Sequence, residues 1–274
     1  MPFPPLAPTI RVEPEEIAED TFLIHQVQAA TGAPLFVYIN SMVIRGEQPV
    51  IVDTGTPANR KQALDDIFSL VEPDDVRWVY LSHDDVDHTG NLDEVLSACP
   101  NATLVCTWPM VERHTNCFDF PLPRCRWVLD GESFDVGDRV LQCVRPPVYD
   151  SPTTRGLFDP MTGVYWAVDT MATPLPDPGT QVADLDDEFW DYGLALFAHA
   201  GVSPWLAMVD PDRFAASVDR VQSLPITTLA ACHTPVFRDS QVATAFEKVR
   251  ALPTAEVPPV PDQAALEEIV AAIS

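Results

Sequence analysis

Short apolar runs rich in β-branched residues recur along the chain and alternate with stretches of helical periodicity. Such runs predict strands, whereas apolar residues three and four positions apart predict amphipathic helices. The predicted strands are Phe22–Val27, Leu35–Ile39, Pro49–Val52, Val76–Leu81, Thr103–Cys106, Val140–Val144, Val164–Val168 and Thr227–Ala231. The predicted helices lie at about 57–70, 91–98, 108–115, 186–200, 210–222 and 239–250. Because strands come in runs with helices between and after them, the pattern predicts an α+β protein, an αββα sandwich of two mixed β-sheets flanked by helices.

Proline is concentrated towards the two ends of the chain. Residues 1–16 and 252–262 are proline-rich, which predicts an N-terminal arm and an extended linker. Helical spacing at 263–273 predicts a short C-terminal helix after that linker. With no internal repeat, we expect one domain over residues 1–274 with its core at about 20–250.

The formal charge of the 274-residue chain is −25, from 16 basic and 41 acidic residues. A field of that sign repels phosphate backbones and anionic lipids, so neither nucleic acid nor a membrane surface is an expected partner. There is no run of 18 apolar residues, and the N-terminal segment lacks the pattern of a signal peptide. None of the six cysteines forms a C-x-x-C pair, so we expect free, mostly buried thiols and a cytoplasmic protein.

The densest group of chemically active residues is the segment LSHDDVDHTGN at 81–91. It follows an apolar strand and contains His83, Asp84, Asp85, Asp87 and His88. Imidazole and carboxylate together suit transition-metal ions, and alternate side chains of an extended segment point the same way. The segment therefore predicts a metal site, and the alternative is a solvated acidic loop with two unrelated histidines.

The H-x-D-x-D-H pattern resembles the H-x-H-x-D-H signature of the metallo-β-lactamase superfamily, with Asp85 in place of the second histidine. Earlier in the chain, Asp53-Thr54-Gly55 resembles the segment that precedes this loop. WAVDT at 166–170 resembles the strand whose last aspartate, here Asp169, bridges two metals. LAACHTP at 229–235 resembles the strand that ends in a late histidine ligand, here His233. The resemblance covers about 20–250.

The remaining histidine of that pattern is also replaced, by Asp150 in the segment PVYDSP. Asp150 is either a metal ligand or a turn residue, because Asp-Ser-Pro also favours a turn. The resemblance implies a site in which Asp169 bridges two metals and, with Asp87, is a candidate catalytic residue. Metal 1 would be held by His83, Asp85 and Asp150, and metal 2 by Asp87, His88 and His233.

Four aspartates and three histidines give this ligand set a formal charge of −4, which two ferrous ions would neutralise. Hard oxygen ligands favour iron or manganese over zinc, so iron is the expected metal, with manganese and zinc as alternatives. An acidic residue at the second position resembles the flavodiiron proteins and the stand-alone oxygen-binding di-iron proteins. Carboxylate at the position of Asp150 also resembles a di-iron hydroxylase with this fold.

Flavodiiron proteins carry a C-terminal flavodoxin domain, whereas only about 25 residues follow residue 250 here. The resemblance therefore implies no flavin in this chain and electrons supplied by a separate protein. O2, NO or a small molecule would be the substrate, and a homodimer is left open.

Three other residues are weaker candidates. His25 lies in an apolar strand, and His199 lies in an apolar helix, seven residues after Tyr192. They are either core residues or donors that act just outside the ligand set.

Three functions remain open from the sequence. The first is a non-haem di-iron protein that binds, reduces or uses O2 or NO, including a hydroxylase of a small molecule. The second is a metal-dependent hydrolase of the thioesterase, lactonase or phosphodiesterase type, in which Asp87 would orient a bridging hydroxide. The third is a binding module with a degenerate site.

Overall fold

The computed structural model describes residues 10–30 and 33–272, which contain two β-sheets. Eight strands form the first sheet: β1 (Ile10–Arg11), β2 (Glu15–Ala18), β3 (Thr21–Ala29), β4 (Phe36–Ile44), β5 (Val50–Val52), β6 (Trp78–Tyr80), β7 (Thr103–Cys106) and β8 (Cys125–Trp127). Their order is β1-β3-β4-β5-β6-β7-β8, and β2 also pairs with β3. Strands β5 to β8 run parallel, while β1 to β4 pair antiparallel and β4 meets β5 antiparallel.

The second sheet contains six strands in the order β14-β13-β12-β11-β10-β9. They are β9 (Ser133–Asp135), β10 (Val140–Val144), β11 (Gly156–Asp159), β12 (Val164–Trp166), β13 (Thr228–Ala230) and β14 (Phe237–Arg238). Strands β12 and β13 are parallel, and the other pairs are antiparallel. Both sheets are therefore mixed, as predicted.

Eight α-helices are described. They are α1 (Arg60–Leu70), α2 (Val86–Thr89), α3 (Leu92–Ala98), α4 (Trp108–His114), α5 (Asp187–Leu196), α6 (Pro211–Gln222), α7 (Ser240–Ala251) and α8 (Gln263–Ala272). Buried side chains of α1, α3 and α4 pack on the outer face of the first sheet. Those of α5, α6 and α7 pack on the outer face of the second sheet. No described helix is long and apolar enough to cross a membrane.

Successive side chains of the strands alternate between the two faces of each sheet. This alternation creates three apolar layers, one between the sheets and one under the helices on each outer face. In β5, Val52 packs in the core between the sheets, whereas its neighbour Ile51 packs under the helices of the first sheet. In β12, Trp166 lies between the sheets and Tyr165 lies under the helices of the second. Side chains of a strand point alternately to its two faces, so each sheet is buried on both sides. The predicted αββα sandwich is confirmed, and each strand end is held by a rigid layer.

The ends of the chain bear on the predicted domain limits. Residues 1–9 of the predicted arm lie outside the described residues, and 10–16 contribute β1 and the start of β2. Residue 273 of the predicted C-terminal helix also lies outside them, and none of α8 is buried. The single-domain organisation stays a prediction.

Candidate metal centre

The seven predicted metal ligands lie at one edge of the two sheets, Asp87 and His88 on the short helix α2 and the other five on loops. Three of the segments directly follow the C-terminal ends of β6, β12 and β13, and the fourth connects β10 to β11. This is the edge at which α/β sheets build sites, because strand ends hold the loops in place. The predicted ligands are His83, Asp85, Asp87 and His88 after β6, Asp150 after β10, Asp169 after β12 and His233 after β13.

Asp169 lies between two groups of histidines. Its Oδ2 is 3.5 Å from Nε2 of His83, and its Oδ1 is 3.3 Å from Nε2 of His233. Asp87 Oδ2 lies 3.3 Å from Nε2 of His88 and 3.8 Å from Nε2 of His233. The two oxygens of Asp169 thus face different partners, which is the arrangement expected of a carboxylate shared between two cations.

The orientation of the histidines fits metal binding. His233 donates from Nδ1 to the carbonyl of Tyr38 at 2.6 Å, and Nδ1 of His83 lies 2.9 Å from the hydroxyl of Ser82. Ser82 donates in turn to Asp53 at 2.6 Å. A histidine whose outer nitrogen is held in this way presents its other nitrogen to a metal.

The inner nitrogens of the three histidines have no protein partner beyond one another and the nearby carboxylates. Nε2 of His83 is buried without a hydrogen bond. Nε2 of His88 and Nε2 of His233 face each other at 3.4 Å. Buried polar atoms are normally satisfied, and a cation would satisfy all three nitrogens together with the nearby carboxylates. The donor set therefore fits a metal.

Electrostatics keep the central carboxylates charged. Burial would raise the pKa values of Asp87 and Asp169, but the neighbouring histidines hold both well below their usual range. Burial would lower the pKa of His83, yet Asp169, Asp53 and Asp85 raise it to about 9. Burial raises the pKa of Asp85 to about 6.

We expect metal binding near pH 7.5 to release protons. With a pKa of about 9, His83 is protonated in the metal-free protein and must lose its proton to bind a cation. Titration calorimetry with the metal in two buffers of different ionisation enthalpy gives the number released. We expect at least one proton, and His83→Asn should lower the number released by about one. Buffer-independent heats would contradict this assignment.

Two backbone positions beside the site are strained. Asp53, just after β5, and Val168, just before Asp169, have φ values of 60° and 55°. A positive φ is an outlier for a β-branched residue and costs about 1–3 kcal/mol. The carbonyl of Val168 accepts from the backbone of Cys232 at 2.9 Å, which ties the loop of Asp169 to that of His233. The strained backbone conformation at Val168 thus lies directly before Asp169, where the chain turns towards the histidines.

Asp150 has features of both of its predicted roles. It lies in a bend, and its Oδ1 accepts a hydrogen bond from Thr154 at 2.8 Å. It also lines the same cleft as Asp85, Asp87, Asp169 and His233. Its second oxygen remains available to a metal on that side, so its role as a ligand stays a prediction.

The weaker candidates are separated from the cluster to different degrees. His25 is buried, 3.0 Å from Oδ1 of Asn40, whose amide donates to the carbonyls of Ala231 and Thr234 on either side of His233. His199 instead lies 2.9 Å from the carbonyl of Leu252, and Tyr192 is exposed. The seven-residue spacing predicts that Tyr192 and His199 share a helix face. A π-helical turn that begins at Phe197 interrupts the α-helical periodicity between them.

Sequence reasoning missed the residues that hold the ligand loops. Asp84 accepts from Ser151 at 3.0 Å and from Thr153 at 2.7 Å, and it pairs with Arg113 of α4. It thereby fastens the loop of Asp150 to that of His83. A partner so distant in sequence leaves no local signal.

Comparisons with known proteins bear on the fold. A family model described as the metallo-beta-lactamase superfamily matches residues 35–108. An anaerobic nitric oxide reductase flavorubredoxin of Pectobacterium atrosepticum is 22% identical over 204 residues, 73% of this chain and 39% of that protein. The rubredoxin oxygen:oxidoreductase of Desulfovibrio gigas superposes with a TM-score of 0.72 at 15% identity, over 88% of this chain and 62% of that chain. The flavodiiron protein of Giardia intestinalis gives 0.72 at 17% identity, over 89% and 60%.

The chain has the metallo-β-lactamase fold. The predicted resemblance to this superfamily, nearest to its flavodiiron branch, is confirmed. The chain spans between a quarter and two fifths of the length of the first curated relatives it matches. The comparisons thus establish the fold. That this chain shares the activity of the longer relatives is a proposal.

Proposed function

We propose that this chain is a non-haem di-iron oxidoreductase that binds and reduces or uses O2 or NO. Its electrons would come from a separate donor protein. The similarity to a nitric oxide reductase and to an oxygen:oxidoreductase supports this class.

The observation that supports the proposal is the proportion of carboxylates among the predicted ligands. They are four aspartates and three histidines, and the two positions that depart from the superfamily pattern, Asp85 and Asp150, both line the cleft that also contains Asp87, Asp169 and His233. Carboxylate oxygens favour iron over zinc and offset the charge of its oxidised state. A zinc hydrolase would be served better by imidazole at both positions.

The aspartates of the predicted ligand set would have different roles. Iron held here would supply one-electron chemistry towards a diatomic gas. Asp169 spans both groups of histidines, and Asp87 stays ionised beside His88 and His233. Asp85, whose side chain is 52% exposed, forms the solvent side of the cluster, where a gas molecule would enter.

Two tests examine the proposal. Protein purified without oxygen from iron-supplied cells should contain about two irons per chain by elemental analysis. With a chemical reductant, it should consume O2 or NO in an electrode chamber. Asp65→Ala, at an exposed position of α1 outside the predicted ligand set, is the matched control and should leave both measurements unchanged.

Stoichiometric zinc in place of iron, with ester or lactone hydrolysis and no gas consumption, would overturn the proposal in favour of a hydrolase. An absence of bound metal would favour a degenerate site.

A further inference from the structure

Two arginines face each other where β10 ends and β11 begins. The two strands pair antiparallel, and Val144 opposite Gly156 is the last pair of their ladder. One position further, Arg145 stands opposite Arg155, at the two ends of the connection that carries Asp150. Like charges directly opposite each other on two strands repel, so we expect a compensating negative charge near this arginine pair.

Both side chains of the arginine pair start from the same face of the two strands. Cys143 and Leu157, each two positions away from one of the arginines, both pack in the core between the sheets. Side chains two positions apart along a strand share a face. Burial and the neighbouring charge of Arg145 lower the pKa of Arg155, as expected for two cations that lie close together.

The guanidinium groups of the pair retain unused N–H donors. Arg155 is buried, and its Nη1 donates to the carbonyls of Pro152 at 3.2 Å and Thr154 at 2.6 Å. Its Nε is buried without a hydrogen bond, and so is Nε of Arg145. The Arg145 guanidinium lies 5.3 Å from the centre of the Tyr149 ring, which offers it no oxygen acceptor on that side.

Arg139, the other buried arginine among the described residues, has the partners that the pair lacks. It binds Asp138 at 2.8 Å and Asp159 at 3.1 Å. Arg155 is as deeply buried, with 5% of its surface exposed against 6% for Arg139, yet neither Arg155 nor Arg145 forms an ion pair with a described residue. An arginine does not release its proton, and a buried charge without a counter-ion is costly. Water could accept from the N–H groups but would not balance the charge.

The side chains around the pair leave its positive charge uncompensated. Asp130 Oδ1 accepts from the backbone of Arg145 at 2.6 Å and lies 3.5 Å from Nη1 of Arg220, so the charges of Asp130 and Arg220 cancel. Burial raises the pKa of the Cys143 thiol, which also lies near Arg155, to about 11, so it is neutral. The side chains of Asp130 and Arg220 are 38% and 46% exposed, which opens this side to solvent.

The net charge of −25 does not prevent an anion from binding here. Most of that charge is spread over the surface, and salt screens exposed charges beyond about 8–10 Å. The two adjacent arginines therefore determine the local field. Their planar guanidinium groups carry N–H donors in the spacing that matches two oxygens of one anion.

We propose that Arg145 and Arg155 bind an oxyanion of the phosphate or sulfate type between them. Its two negative charges balance those of the two arginines, and its oxygens accept from the unused N–H groups. An anion held by both side chains ties together the two ends of the connection that carries Asp150. The proposal is independent of the metal and of the reaction proposed above.

The test is titration calorimetry of the metal-loaded protein with inorganic phosphate, phenylphosphonate and chloride. We expect phosphate to bind at one site, and to bind at least about tenfold more weakly to Arg145→Gln and to Arg155→Gln, because each loses charge-assisted hydrogen bonds. Arg77→Gln is the matched control and should bind as the wild type does. Arg77 is also half-buried and donates only to backbone carbonyls, those of Asp74 and Val76.

Thermal unfolding provides a second measurement, which remains if Arg155→Gln does not fold. Phosphate should raise the melting temperature of the wild type, because a ligand that binds only the folded state stabilises it. In buffer free of phosphate and sulfate, Arg145→Gln should melt above the wild type, since the repulsion between the arginines is gone. Added phosphate should then leave its melting temperature unchanged.

The outcomes separate this site from the metal cluster. Phosphate held by the metals would bind equally well to both arginine variants and would be lost in Asp169→Ala, and that result overturns the proposal. So does the absence of phosphate binding, or tighter binding of chloride than of phosphate. Among supporting results, phosphate binding alone identifies the free ion as the ligand, whereas tighter binding of phenylphosphonate identifies the phosphate group of a larger molecule.

Discussion

Asp169→Ala should reduce the metal content from about two ions per chain to nearly none. Asp169 Oδ2 faces His83 and its Oδ1 faces His233, so the substitution removes one oxygen donor from each group. It also removes one of the four negative charges that would offset two divalent cations. Elemental analysis after gel filtration measures the loss, and far-ultraviolet circular dichroism checks that the fold is kept.

Single-histidine variants provide the comparison for Asp169→Ala. His83→Ala and His233→Ala should each lose about one ion, because the structure places them on opposite sides of Asp169. If Asp169→Ala instead retains both metals, or loses no more than His83→Ala, Asp169 is not the shared ligand.

The layers of the fold could be predicted because a short apolar run rich in β-branched residues is a local feature of the sequence. Val50, Ile51 and Val52 form one short apolar run, and β5 lies where it was predicted. Weaker runs were missed, including the three residues of β9 and the two of β14, which are short enough to depend on their partners for pairing. The predicted helix at 186–200 ends as an α-helix at Leu196, because the chain continues into the π-helical turn.

The candidate site could be located from the sequence because four of its residues lie within one hexapeptide, His83 to His88. The others were placed by resemblance, and the structure brings Asp169 and His233 to the same edge. Their roles as ligands remain predictions.

The supporting contacts could not be predicted. Asn40 lies 191 residues from Ala231, whose carbonyl it holds, and Asp84 lies 67 residues from Ser151. Contacts at such separation depend on how the two sheets pack rather than on any local pattern. The strained backbone at Val168 could not be predicted either, because a valine in an apolar run predicts a continuing strand.

The second prediction with a large expected effect concerns Asp85 and Asp150, which stand where the superfamily pattern has histidine. Replacing both with histidine changes the formal charge of the ligand set from −4 to −2 and the number of imidazoles from three to five. That set suits zinc and no longer offsets the charge of oxidised iron. Asp85→His/Asp150→His should therefore raise the zinc-to-iron ratio at least about tenfold and slow gas consumption, as measured by elemental analysis and an oxygen electrode.

Asp150→Ala is the more stringent test, because the hydrogen bond from Thr154 to Asp150 is also one that a turn residue would make. Thr154 donates to its Oδ1 at 2.8 Å, so Asp150→Asn keeps this hydrogen bond through the amide oxygen while the charge is lost. A ligand role predicts that both variants lose metal from the His83 side and consume gas more slowly. A turn role predicts that Asp150→Asn behaves as the wild type and that Asp150→Ala only lowers the free energy of unfolding, by about 1 kcal/mol for the lost hydrogen bond. If metal content and gas consumption survive in both, Asp150 is not a ligand, and the His83 side of the cluster has lost one of its three predicted donors.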